Sequence, residues 1–286
     1  MKEIRAASGE YLLGMKKAAE QDLCEPAQFK EYTIFLITEG KGTFHSDFGI
    51  FPFQTPVLLF ATPLQVLHMQ DCKELNCTVL QFHGDFYCIE FHRREVACNG
   101  LLFNNIFLDP AVPLSEEHAA IFEGLTQQIG AECDEEIPSE IVLRAYLQLF
   151  LAKASSLKLK AMDSPTSLAT KDDQMERFRS LLDKHYLTLH KPSDYSSLLT
   201  MSPDNFSRRC SRYFKKTPSQ LIQERLVLEA KKQLHLTRQS IKEISHNLKF
   251  QDEFYFSRFF KKLTKVSPQT FRDQTGISIV ADLSSY

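Results

Sequence analysis

The chain has 286 residues, 43% hydrophobic and 24% charged, with a formal net charge of −2. That length exceeds one ordinary core and predicts two domains, and the composition excludes disordered and fibrous classes. The near-zero balance hides an asymmetry: Asp173–Asp273 carries 20 Lys and Arg against 11 Asp and Glu, about +9, so the remainder carries about −11. One segment is therefore suited to an anionic partner, against the alternative of a solvated lysine-rich helical surface.

No apolar run is long enough to span a bilayer, and the opening MKEIRAASGEYLLGMKKAAEQ places acids and lysines where a signal peptide needs an apolar core. These features predict a cytoplasmic protein with no membrane partner. The seven cysteines (Cys24, Cys72, Cys77, Cys88, Cys98, Cys133 and Cys210) are scattered and form no Cys-x-x-Cys pair. They read as reduced thiols serving as small apolar residues, not as a disulfide framework or a zinc ribbon.

In chain order, Tyr32–Thr38 is β-branched and aromatic, Glu39-Gly40-Lys41-Gly42 reads as a turn, and Thr43–Ser46 resumes the strand. Phe51–Gln54, Pro56–Phe60, Val66–Met69 and Cys77–Phe82 follow as short strands, which suggests a small β-barrel or sandwich. Ser115-Glu116-Glu117 opens a helix to about Cys133, with Ile121, Phe122, Leu125 and Ile129 at helical spacing. Pro138 starts a second helix, Ser139–Lys160. Its run IVLRAYLQLFLA is apolar on more than one side, so it either meets a second copy of the chain or is buried within its own domain. The first reading puts a dimer contact at Leu143, Leu147, Phe150 and Leu151. Residues 161–172 are small, polar and proline-containing, as in a linker. The expected domains are 1–160, 173–273 and a tail, 274–286.

The basic segment writes one phrase twice. With a shift of fifty, Phe206-Ser207-Arg208 falls on Phe256-Ser257-Arg258, Lys215 on Lys265 and Pro218 on Pro268. Ahead of the first copy come Tyr195-Ser196-x-x-Leu199, a bend at Thr200-Met201, the N-cap Ser202 and Pro203 at the first helical position. Ahead of the second come Ile244-Ser245-x-x-Leu248, a bend at Lys249-Phe250 and the cap Asp252. Each copy predicts a short helix, a tight turn and a second helix, the layout of a helix-turn-helix. Phe206 and Cys210, like Phe256 and Phe260, lie four apart and face inward. Asn205, Arg208, Arg209 and Arg212 then face outward, as do Glu253, Tyr255, Arg258 and Lys262, where arginine can pair with guanine edges or phosphates. Between the copies, Pro218–Leu236 predicts a helix of about 27 Å that sets the two apart.

The spaced series Arg225, Ala230, Leu234, Thr237, Ile241, Ile244, Ser245, Asp252, Phe256-Ser257-Arg258, Phe260-Lys261-Lys262, Ser267-Pro268 and Phe271-Arg272 resembles the AraC/XylS family of bacterial transcription regulators. The resemblance covers about Asp173–Asp273. It implies an α+β two-domain chain: an N-terminal cupin-like β-barrel with two helices, and a C-terminal all-α domain with two helix-turn-helix units. It places Asp204, Asn205, Ser207 and Arg208 toward one DNA groove, and Glu253, Phe254, Tyr255 and Arg258 toward the next. Double-stranded DNA, a second copy of the chain, a small-molecule effector and RNA polymerase are the implied partners, with no cofactor. The sequence departs from the family at Lys215, Lys249 and Lys265, where glycine is usual; either the left-handed backbone is kept at a cost of about 1 kcal/mol each, or the bends are remodelled. Phe254 stands where a polar residue is usual, and either touches a thymine methyl or packs inward.

The N-terminal half resembles the sensory and dimerisation domain of such regulators through LITEGKGTF and PVLLFATPLQVLHM. His45, His68 and His83 stand apart in sequence, which predicts no metal site, and no nucleophile, phosphate-loop or dinucleotide motif is present. The competing reading is a cupin-type metal-dependent enzyme with a basic helical appendage.

Overall fold

A computed structural model describes residues 2–46, 49–87, 89, 101–103, 105–162 and 172–277. The expected linker, 161–172, and the tail, 274–286, therefore lie mostly outside the described residues. The chain forms two compact units, residues 1–105 with 110–160, and residues 106–109 with 161–286.

The first unit is built on one antiparallel sheet. Its strands are β1 (Lys2–Arg5), β2 (Tyr11–Ala18), β3 (Ala27–Gln28), β4 (Tyr32–Ser46), β5 (Gly49–Gln54), β6 (Val57–Ala61), β7 (Val66–Phe82) and β8 (Ala111–Pro113). The main path runs β1-β2-β7-β4-β6-β8, with β3 added to β7 and β5 to β4. A short helix, α1 (Gln21–Cys24), precedes β3. The two long strands β4 and β7 explain the apolar runs. Along β4, Ile34 and Leu36 enter one apolar cluster while Phe35 and Ile37 enter another. β6 divides in the same way, Leu58 and Phe60 against Val57, Leu59 and Ala61. A sheet buried on both faces needs apolar residues at every position, not at alternate ones.

One cluster is closed by α2 (Glu116–Cys133) and α3 (Glu140–Met162), through Phe122, Leu125 and Ile129 and through Leu143, Leu147, Phe150 and Leu151. The other gathers residues of the opposite face of these strands, where Phe44, Phe53, Leu67 and Met69 join Phe35. Ser115 caps α2 by accepting from the His118 amide.

Two expectations are corrected here. Glu39–Gly42 is not a turn: β4 continues through it, and the register against β7 shifts between Ile37 and Thr43. Gly40 holds φ +102, and a Cβ there would stand 2.4 Å from the Lys73 carbonyl, so glycine lets the strand bend without ending. Likewise Val66–Met69 and Cys77–Phe82 are the two ends of one strand. The second correction concerns Leu143, Leu147, Phe150 and Leu151. All four are fully buried within the unit's own core, so they cannot meet another chain. The large apolar residues exposed on α3 are Ile141, Val142, Leu149 and Leu159.

The second unit is helical: α4 (Asp173–His185), α5 (Pro192–Leu198), α6 (Pro203–Phe214), α7 (Pro218–Leu236), α8 (Ile241–Asn247), α9 (Glu253–Thr264) and α10 (Pro268–Thr275). The pair α5–α6 and the pair α8–α9 repeat one arrangement, with α7 packed against members of both. Around the first pair, Met175, Phe178, Leu182, Tyr195, Phe206, Cys210, Leu221 and Leu226 form a buried cluster. Phe178 is its hub, with ring centroids 4.9 Å from Phe206 and 5.4 Å from Tyr195. Burying side chains of this size contributes roughly 1.5–3 kcal/mol each.

Candidate nucleic-acid interface

The bends ahead of α6 and α9 are set by local chemistry. In the first, the Thr200 amide donates to the Ser197 carbonyl and the Met201 amide to the Ser196 carbonyl. Thr200 holds φ +55. Ser202 then caps α6, its Oγ accepting from the Asn205 amide, with Pro203 at the first helical position. In the second bend the Lys249 amide donates to the His246 carbonyl and the Phe250 amide to the Ser245 carbonyl. Asp252 caps α9 and accepts from the Tyr255 amide at 2.7 Å. Ser196 and Ser245 are both buried, small enough for the paired helices to approach.

This geometry fixes which side of each second helix is free. On α6 the inward residues are Phe206, Cys210 and Phe214, and burial pushes the Cys210 thiol up to about 12. Asp204, Asn205, Ser207, Arg208 and Arg212 are exposed on the other side. On α9 the inward residues are Phe256, Phe260, Leu263 and Thr264. Phe254, Tyr255, Arg258 and Lys262 are exposed and Glu253 is half-buried.

Phe254 does not pack inward; it is 80% exposed at the start of α9. The inward aromatic is Phe250 in the bend, its ring 5.2 Å from Phe256, 5.1 Å from Phe259 and 5.9 Å from Tyr255.

Arg209 departs from its expected place. Its Nε and Nη2 donate to Asp172 at 2.6 and 2.9 Å, so its guanidinium is engaged inside the unit. Asp172 also caps α4, accepting from the Gln174 and Met175 amides. Burial alone would raise its pKa, but the bonds from Arg209 and the two amides outweigh it and hold the carboxyl below its ordinary value. Sequence reasoning missed this pair because its members lie 37 residues apart and nothing local joins them.

Lys215, Lys249 and Lys265 keep the left-handed backbone, with φ of 57, 61 and 67. The bends are not remodelled, and each lysine costs about 1 kcal/mol against glycine.

In the first unit, the His45 and His68 rings stack across β4 and β7 with centroids 4.4 Å apart and planes 16° from parallel. Stacked rings point their nitrogen lone pairs along parallel planes, so the two do not converge on one ion. Among the described residues no group of three or more His, Cys, Asp or Glu lies together as metal ligands would. Among them also, no helix is long and apolar enough to cross a membrane.

A helix-turn-helix domain family matches residues 195–274, the span of both helix pairs. The arabinose operon regulatory protein of Salmonella typhimurium is 26% identical over 255 residues, covering 86% of this chain and 85% of its own. Among solved structures, apo ToxT from Vibrio cholerae is 14% identical, covering 92% of this chain and 97% of its own at a TM-score of 0.45. The C-terminal domain of AraT from Geobacillus stearothermophilus is 26% identical, covering 38% and 90% at 0.36. Together with the capped helix pairs and their exposed basic faces, these matches make the chain a DNA-binding transcription regulator that is similar to the AraC/XylS regulators.

Proposed function

We propose that this regulator is a one-component device in which both helix pairs act as helix-turn-helix units and the N-terminal unit, as a cupin-like barrel, receives a small-molecule effector. The observation that carries this reading is the duplication itself. Two capped helices, α6 and α9, each bury an aromatic row and expose a polar or basic one, in a segment of about +9. The 19-residue α7 between them spans about 27 Å at ~1.5 Å of rise per residue step, close to one turn of duplex. α6 and α9 would then enter successive major grooves of double-stranded DNA.

A homodimer completes the reading, through the exposed side of α3. Ile141, 81% exposed, Val142 and Leu149 lie on that side. Glu140 stands in the first turn of the helix and Lys160 in the last. An antiparallel pairing of two copies sets each acidic end against the partner's basic end. RNA polymerase is a further partner if the protein activates transcription from the site it occupies.

The test is the salt dependence of DNA binding. With about 6–10 phosphates neutralised, the log–log slope of affinity against salt is expected near −5 to −9. A slope near zero would remove the nucleic-acid reading. Light scattering on an Ile141→Glu, Leu149→Glu double variant addresses the dimer; a wild type monomeric at micromolar concentration, with and without DNA, would contradict it.

A further inference from the structure

Among the described residues of the helical unit, four that are not glycine hold left-handed backbone: Thr200, Lys215, Lys249 and Lys265, with φ of 55, 57, 61 and 67. Three of the four are lysine, and all three are exposed. Their positions are systematic. Lys215 and Lys265 are the C-cap residues that directly follow α6 and α9, and Lys249 lies in the bend that leads into α9. We propose that these three lysines are contacts to the DNA phosphate backbone that hold α6 and α9 in their grooves, rather than parts of the folded framework.

A residue with a Cβ is strained in this region, and short polar side chains such as asparagine relieve the strain with a local hydrogen bond. Lysine carries its polar group too far out to do so. The ammonium groups also return little to the fold. Among the described residues, Lys215 and Lys249 form no ion pair or side-chain hydrogen bond, and Lys265 donates from Nζ only to the Lys262 carbonyl, at 3.2 Å. Lys216, one residue along, shows the contrast: it is half-buried and pairs with Glu224 at 2.7 Å. Strain kept at three exposed lysines for no more than one exposed internal hydrogen bond points to a group outside the chain.

The chemistry of that group follows from the place. A helix lying in the major groove has its two ends beside the flanking phosphate strands, and an ammonium is a compact cation that suits a phosphodiester without reading sequence. At a left-handed residue the chain leaves the helix, so the lysine starts from the helix end instead of extending the row that faces the bases. The bend before α6 carries Thr200 in the same backbone state without the charge. The two ends of α9 are therefore both held by lysine, and α6 is held at its C-terminal end.

This inference rests on the DNA-binding function, and the test separates the two. The full chain and a Lys215→Gly, Lys249→Gly, Lys265→Gly variant are titrated onto a labelled 40-base-pair duplex of mixed sequence between 50 and 200 mM salt. Each lost phosphate contact lowers the salt slope by about 0.9, so the variant is expected to lose about 2.7 units of slope. Its affinity then falls about 40-fold less than that of the wild type across that range. Its melting temperature is expected to rise, because glycine relieves the strain. Thr200→Gly is expected to raise the melting temperature with an unchanged slope, and a triple Lys→Asn variant, which also tolerates the left-handed state, to lower the slope as the glycines do. If the wild type binds steeply and both triple variants keep its slope, the lysines are not phosphate contacts. If the wild type binds no DNA, the regulator reading fails and the inference with it.

Discussion

The helix pairs α5–α6 and α8–α9 share a frame and differ in what they show to solvent. Each has a bend closed by two backbone hydrogen bonds, a left-handed residue, an N-cap and an inward phenylalanine at the same step. Outward, α6 offers Asp204, Asn205, Ser207, Arg208 and Arg212, whereas α9 offers Phe254 and Tyr255 ahead of Arg258 and Lys262. At the register position where α6 has Arg209, paired with Asp172, α9 has Phe259, packed on Phe250. The frame is held by buried aromatics and caps, so the exposed row is free to differ. On the proposed reading, the first pair would read bases by hydrogen bonds, and the second would hold DNA by apolar and phosphate contact.

The largest expected effect breaks the shared frame. Phe206→Ala and Phe256→Ala each remove a fully buried ring and should each destabilise the helical unit by about 3–5 kcal/mol, measured by denaturant unfolding. A loss below 1 kcal/mol at either site would mean that pair does not depend on its aromatic row.

Next in size is the difference between the exposed arginines. Arg208→Ala should weaken specific binding by about 1–3 kcal/mol and relax preference at one base step. An equal loss on random DNA would make Arg208 a phosphate contact and erase the contrast between the pairs.

Asp172 distinguishes the first pair in stability. Asp172→Ala removes the cap of α4 and should cost about 1–2 kcal/mol. Because the folded carboxyl titrates below its unfolded value, its contribution is complete above the unfolded value, near ~3.9, and is lost as pH falls through the folded one. Wild type and Asp172→Asn should therefore differ in unfolding free energy at pH 7 and converge as pH falls through the folded value. A constant difference across that window would assign the effect to packing.

The smallest effect belongs to Phe254. Phe254→Ala should leave folding unchanged, since its ring is exposed, and reduce affinity by less than about 1 kcal/mol. Replacing thymine by uracil at the matching step should reproduce that loss in wild type and add nothing in the variant. Additive losses would mean the ring touches no thymine methyl.

What could be read from the sequence follows the range of the forces involved. Ser202, Pro203 and Asp252 act within one turn of helix, so their roles as helix starts were legible, and so was the inward placement of Phe206, Cys210, Phe256 and Phe260. α3 was legible as a helix but not in its orientation. Apolar residues occupy most of its circumference, and only the packed sheet and α2 show that Leu143, Leu147, Phe150 and Leu151 belong inside and Ile141 and Leu149 outside. β4 and β7 looked like pairs of short strands because glycine and charge interrupt them at the bends, while pairing that holds each together comes from the partner strand. β1 and β2 gave no local signal strong enough to read: Lys2–Arg5 has one buried residue, and YLLGMKKA mixes apolar and charged positions.

The most direct test of the two-pair account is a hydroxyl-radical footprint with methylation interference, on a duplex selected from a random library by the full-length protein. Two guanine- or adenine-sensitive major-groove segments per chain are expected, on one face of the duplex and about 10–10.5 base pairs apart, with the segment under α6 the more sequence-selective. One protected segment per chain, unaffected by substitutions on α9, would contradict it and leave the second pair as framework alone.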